Sequence, residues 1–194
     1  MDPYVYPGTT VLKNLRDIRD PERLAGFEAD ATSERIDELI QTPISGKFDT
    51  RHVQAIHRHI FQDVFQWAGE LRTVNIGKSG DLFALQQHIV STLAKTFEDL
   101  KQERYLGGAD IKRFCSRGAY YLGEINAIHP FREGNGRTQR EFMRELALRN
   151  GYTLDWSRVS RDRMMDASKQ SFRSDNAGLA LVLESALSTH SDQC

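Results

Sequence analysis

Apolar positions recur every three or four residues over most of this chain, and the gaps between those runs hold residues that start or stop helices. Asp20-Pro21 reads as an N-cap followed by proline at the first helical position. Leu24, Phe27, Ala31 and Ile36 through Leu39 then carry a helix to about Ile40, ended by Pro43, with 44–48 as loop. Asp49 or Thr50 caps a second helix whose Val53, Ile56, Ile60, Val64 and Trp67 form one apolar face. His52, His57 and His59 lie in it without the spacing of a zinc helix and are expected at the surface or the edge of that face. Helical pattern resumes at Leu85, with Ile89, Leu93, Phe97 and Leu100 on one face, and breaks at Gly107-Gly108. Asp110 caps the next helix, expected to bury Ile111, Phe114, Cys115, Leu122 and Ile125 and to stop at His129-Pro130, because a residue before proline is pushed out of the helical region. Phe142, Met143, Leu146 and Leu148 mark another, ended by Asn150-Gly151, and two more are expected near 158–171 and 177–189.

Residues 70–83 break the helical pattern. Leu71, Thr73 and Asn75 alternate with Arg72, Val74 and Ile76, then Gly77-Lys78-Ser79-Gly80-Asp81 offers a turn and Leu82-Phe83 a return strand. A lone hairpin has little stability of its own, so a flap over a site stands beside the reading as a surface connector. Residues 1–19 read as an N-terminal arm, extended over the first nine, with a short helix. The prediction is a single domain across 1–194, an all-α bundle with one small β-hairpin.

Charge changes this picture little. The 194 residues carry 26 Lys+Arg against 27 Asp+Glu, a net −1, which gives no bulk attraction to nucleic acid or an anionic membrane. No apolar run is long enough to span a bilayer and no secretory pattern opens the chain, so the expected compartment is the cytoplasm. Cys115 and Cys194 show no metal or redox spacing; the first reads as a small buried hydrophobe and the second as a frayed terminus.

The chemistry concentrates in His129-Pro130-Phe131-Arg132-Glu133-Gly134-Asn135-Gly136-Arg137-Thr138-Gln139-Arg140, between two apolar helices. A helix start presents unpaired N–H groups and partial positive charge. Gly134 and Gly136 permit positive φ and Asn135 tolerates it, so the turn can curl into an anion nest. Arg137 and Arg140, three apart, add two guanidinium forks, a set that suits a polyphosphate better than one carboxylate. Glu133 opposes that field unless a cation such as Mg²⁺ bridges it to phosphate oxygens. His129 is the strong general-base candidate, since histidine ordinarily titrates near pH 6.5, and Phe131 reads as a core anchor. The bland alternative is a helix-capping loop whose arginines pair with surface acids.

This stretch resembles the signature of the Fic family (filamentation induced by cAMP), HPFx[DE]GNGRxxR, and matches it at His129, Pro130, Phe131, Glu133, Gly134, Asn135, Gly136, Arg137 and Arg140. The pattern at Trp67-Ala68-Gly69, the flap-like segment and Gly118 to Asn126 also fit, and the opening Asp2-Pro3-Tyr4 and Tyr6-Pro7-Gly8 resemble compact bacterial members. The resemblance implies a Fic-fold bundle that transfers AMP from ATP to a Ser, Thr or Tyr hydroxyl of a target protein, releasing pyrophosphate. It implies His129 as base, Glu133 as Mg²⁺ holder, Gly134, Asn135 and Gly136 as anion hole, and Arg137 and Arg140 on the outer phosphates. The hairpin, with Arg72, Val74, Asn75, Ile76, Gly77 and Lys78, would clamp the target by strand addition. Relatives with lysine at the place of Gly136 are phosphotransferases, so glycine favours AMP transfer. Transfer of UMP, phosphocholine or phosphate, removal of AMP, and a catalytically idle nucleotide-binding scaffold are the competing readings. Many members carry an inhibitory [ST]xxxE[GN] helix; here the one Glu followed by Gly or Asn is Glu133, with His129 four residues before it. A separate antitoxin that supplies the glutamate to Arg140 is therefore expected, or else an effector module delivered into another cell.

Overall fold

In the computed structural model, which describes residues 2–78 and 81–189, the elements run α1 (Pro21–Gln41), α2 (Thr50–Phe61), β1 (Gly77–Lys78), β2 (Asp81–Leu82), α3 (Ile89–Gln102), α4 (Ile111–Ile128), α5 (Asn135–Arg149), β3 (Tyr152–Leu154), α6 (Arg161–Phe172), α7 (Ala177–Ala186) and β4 (Leu187–Thr189). Four helices start at a side-chain oxygen. Asp20 accepts from Arg23 N at 2.8 Å, Asp49 from His52 N at 2.9 Å, Asp110 from Arg113 N at 2.8 Å and Ser160 from Arg163 N at 3.3 Å, each satisfying one orphan donor. α4 runs through the middle, packed against α3, α5, α6 and α7, and α5 lies between it and α2. Phe61, Phe114, Tyr121, Phe131 and Phe142 are fully buried in that core. Truncating any one of the phenylalanines to alanine costs about 3–5 kcal/mol. The two segments that meet at the motif, the end of α4 and the start of α5, therefore sit on the most heavily buried elements.

Several boundaries depart from the periodicity. α2 ends at Phe61; Val64 and Trp67 stay buried but follow it through a series of turns closed by Val64 N→Phe61 O at 3.0 Å and Ala68 N→Phe65 O at 3.1 Å. α3 begins at Ile89, after a single 3₁₀ turn at 86–88. Ile111, expected in the core, is 38% exposed, because it is the first residue of α4 and packing begins a turn later at Phe114. α7 stops at Ala186, and the last described residues form β4, antiparallel to β3 with Leu154 opposite Leu187. That second small sheet is a pairing across more than thirty residues and leaves no local signal. In place of a short helix before residue 20, the arm closes a bridge between Val5 and Leu12. Asn14 then holds Ile18 through its side chain, accepting from Ile18 N at 2.9 Å and donating to Ile18 O at 2.7 Å, which competes with helical bonding.

The hairpin is shorter than 70–83. Gly77 pairs with Leu82 and Lys78 with Asp81, and Phe83 N→Ile76 O at 3.2 Å extends the pairing by one bond. The turn expected at Ser79-Gly80 and the terminal Cys194 lie outside the described residues, while Cys115 is buried as expected. The histidines need the largest correction. His52 and His57 are both buried, His52 against Glu145 with Nε2–Oε2 at 2.8 Å.

Candidate active site

His129 caps the C-terminus of α4 with its N–H on Ile125 O at 2.9 Å, and its backbone is left-handed, at φ 49° and ψ 63°. The proline that follows predicted an extended residue; the cap requires αL, a conformation that costs a non-glycine residue about 1–2 kcal/mol. Two contacts with described residues orient the ring. Nδ1 lies 3.2 Å from Asn126 O, and a carbonyl only accepts, so the proton sits on Nδ1 and the lone pair of the neutral ring on Nε2. Phe83, just after β2, stacks on the imidazole at 3.8 Å and 13°.

The loop to α5 is held from inside. Asn135 accepts from Phe131 N at 2.9 Å and donates to Phe131 O at 2.8 Å, so its buried side chain braces the turn, and its own backbone is helical. Gly134 is the N-cap with φ 79°, and a Cβ there would collide with the Phe61 ring. Gly136, in contrast, is helical, so only one of the two motif glycines uses left-handed freedom. Unlike α1, α2, α4 and α6, α5 has no side chain on its first N–H groups, which stay directed at the space before the helix.

The two arginines part company. Arg137 pairs with Glu28 of α1, donates to Thr32 Oγ1 at 3.0 Å, lies over the Phe61 ring at 4.7 Å and stands 3.9 Å from Glu133. Burial pushes the Glu28 carboxyl above its ordinary value, with Arg137 opposing the shift. Arg140 has no hydrogen-bond or ion-pair partner for its guanidinium among the described residues, and burial, then Arg137, holds its pKa below the ordinary arginine value. Its head folds back over the first turn, since a Cβ on Gly136 would lie 3.3 Å from Arg140 Nη1. Beside it is a cavity of about 60 Å³ lined by Asn126, Gly136, Gln139, Arg140, Met164 and Ser168, room for a few waters.

Glu133 is half-exposed, and its Oε1 accepts from Gly134 N at 2.9 Å. Among the described residues no cluster of three His, Cys, Asp or Glu could hold a metal by itself. One half-exposed carboxylate beside a helix start with no side-chain cap nevertheless fits Mg²⁺, which is commonly held by one or two carboxylates together with substrate phosphates and waters.

The expected docking residues do not form one set. Gly77 and Lys78 make β1, and Asn75 accepts from Gln86 N at 2.8 Å at the hairpin base. Arg72 is buried and spends its guanidinium on backbone carbonyls, so it is not a target-docking residue. Sequence reasoning also missed His57. Gly69 N donates to its Nδ1 at 2.8 Å, so Nε2 carries the proton and donates to Glu133 O at 3.0 Å, and the ring stacks on Phe131 at 3.8 Å. Desolvation pulls its pKa down to about 4, so it is a neutral strut for the motif loop. The signal was there: position 57 is four after Val53 and three before Ile60, on the buried face.

Known proteins resemble this chain in sequence and fold. A Bartonella schoenbuchensis protein adenylyltransferase, VbhT, is 46% identical over 88% of the chain, which spans 36% of that protein's length. The Sinorhizobium fredii protein y4lH, described as a probable protein adenylyltransferase, is 41% identical over 92% of each chain. The structure of BepC, a VirB-translocated effector of Bartonella tribocorum with bound AMPPNP, superposes with a TM-score of 0.92 at 27% identity, over 96% of this chain and 97% of that one. Residues 47–147, more than half of the sequence, match the Fic/DOC family, and with them the whole of the 129–140 motif: the chain belongs to the Fic/DOC family.

Proposed function

We propose that the chain is a protein adenylyltransferase that moves AMP from ATP to a hydroxyl of a target protein. The observation that carries this reading is the pairing, across one short loop, of an oriented base with an uncapped helix start. His129 is fixed with its lone pair on Nε2, and α5 begins beside an arginine that has no carboxylate partner among the described residues. The relatives' names and the AMPPNP bound to BepC support a nucleotide as the donor.

The chemistry follows from the placement. The phosphates lie against the first-turn N–H groups of α5 with Arg140 on the outer oxygens, where preorganised donors stabilise charge without reorganising. Arg137, already satisfied by Glu28 and Thr32, braces the loop more than it binds. Glu133 would hold Mg²⁺, which when bound neutralises charge on the phosphate oxygens. His129 Nε2 takes the proton of the incoming hydroxyl as its oxygen bonds to the α-phosphorus. The bond from the α-phosphorus to the bridging oxygen breaks, pyrophosphate leaves, and the proton passes from the imidazolium to solvent. The β1–β2 hairpin, exposed at Gly77 and Leu82, is where a target segment would add as a strand. A further part of the proposal is a small antitoxin whose glutamate meets Arg140, since that guanidinium offers a buried charge with no counter-charge among the described residues.

ATP labelled at the α or the γ position, incubated with the chain in a cell lysate, tests the reaction. Label from α entering a protein band, and lost in His129→Ala, is the expected result; label from γ alone overturns it. The antitoxin is tested by pull-down from the native host together with overexpression of the chain alone. No small partner and harmless overexpression would count against it.

A further inference from the structure

We propose that Arg72 is a positioning residue that joins the root of the β1–β2 hairpin to the backbone of His129, so that flap and base are held as one unit. This rests on the reading of His129 as the base. Arg72 is 2% exposed, and no carboxylate pairs with it among the described residues. Four carbonyl oxygens converge on its guanidinium instead. Nε donates to His129 O at 2.8 Å, Nη1 to Val74 O at 2.6 Å, and Nη2 to Ala84 O at 2.5 Å and to Ile128 O at 3.1 Å. Its own N–H donates to Pro130 O at 2.9 Å.

These acceptors belong to two different structures. Val74 and Ala84 are on the incoming and outgoing arms of the hairpin, just outside β1 and β2. Ile128 and His129 close α4, where helix geometry leaves carbonyls without donors and the dipole favours a cation. One planar fork therefore satisfies a helix end and both arms of the flap. A lysine could not copy it, because three donors on one nitrogen cannot span carbonyls set around a fork. The outgoing arm is tied down twice more, by Ala84 N→Ala127 O at 3.1 Å and by the Phe83 ring stacked on His129. The left-handed backbone of His129 is thus held by a bond to its own carbonyl and by an aromatic ring, both supplied from the hairpin. A target strand added at the hairpin would meet a base whose position is set by the same residue.

The test compares the wild-type chain with Arg72→Lys, Arg72→Ala and Phe83→Leu, reading thermal unfolding, the ATP dissociation constant, kcat and KM for AMP transfer, and the imidazole NMR signals of His129. The Arg72 variants should fold and bind ATP within about threefold of wild type, while kcat falls roughly 30-fold or more, since small misplacements of a reacting group are costly. The His129 ring signals should lose the Nδ1–H form, Phe83→Leu should show a smaller loss of the same kind, and added guanidinium should restore part of kcat in Arg72→Ala but none in His129→Ala. A kcat within threefold of wild type with unchanged ring signals would overturn the proposal. So would unfolding of both Arg72 variants, because Arg72 would then serve general stability alone. A wild type that transfers no AMP would defeat the reading of the reaction, and the ring signals would still decide the part played by Arg72.

Discussion

Arg137 and Arg140 leave the same helix three residues apart, and the fold gives them opposite surroundings. The Arg137 side of α5 faces α1, where Glu28 and Thr32 close on the guanidinium and Phe61 lies beneath it. The Arg140 side faces α4 and α6 across a small cavity, with no counter-charge from any described residue. A guanidinium that burial makes costly and that no described residue neutralises is set to gain most from an anion; one already paired to a carboxylate has little left to gain. Two identical residues in one motif thus divide into a brace and a buried guanidinium with no counter-charge among the described residues.

Substitutions can break that division. The largest effect is expected from Arg140→Ala: AMP transfer should fall by about 100-fold or more, with thermal stability close to wild type because no ion pair is lost. Arg137→Ala should act the other way. It leaves Glu28 buried without its partner and should cost on the order of 3 kcal/mol in urea unfolding. Adding Glu28→Gln should return part of that loss. His57 sets a pH test of the same loop. Its pKa is about 4 in the fold against the ordinary 6.5, so the unfolded chain binds the extra proton between those values. Stability from this site is whole above about pH 6.5, falls on the order of 3 kcal/mol as pH drops through about 4, and is flat below. His57→Gln should flatten that segment of the pH–stability curve. The smallest effect is expected at Gly136→Ala, whose Cβ would crowd Arg140 Nη1 at 3.3 Å. ATP affinity should drop a few-fold while stability holds or rises by about 1 kcal/mol or less, since alanine suits a helix better.

The sequence carried the helices and the motif well, because caps and apolar spacing are local. Asp20-Pro21, Asp49, Asp110 and Asn150-Gly151 all stand at or next to helix ends. What it could not carry was pairing at a distance. Glu28 is 109 positions from Arg137, and β3 meets β4 only after α6 and α7 have folded back. Arg72 was misread for a related reason. Its alternation with Leu71 and Thr73 looks like a strand, whereas its side chain is claimed by carbonyls 56 and 57 residues away. His57 shows the other kind of miss: its place on the apolar face was visible, and a polar ring there had to be buried and hydrogen-bonded.

The division between the two arginines is tested most directly by calorimetric titration of ATP into the wild type, Arg137→Ala and Arg140→Ala, each confirmed folded at the temperature used. The account predicts a dissociation constant raised roughly 30-fold or more in Arg140→Ala, which corresponds to about 2 kcal/mol, and less than about threefold in Arg137→Ala. The reverse order, or equal losses in the two variants, would contradict it.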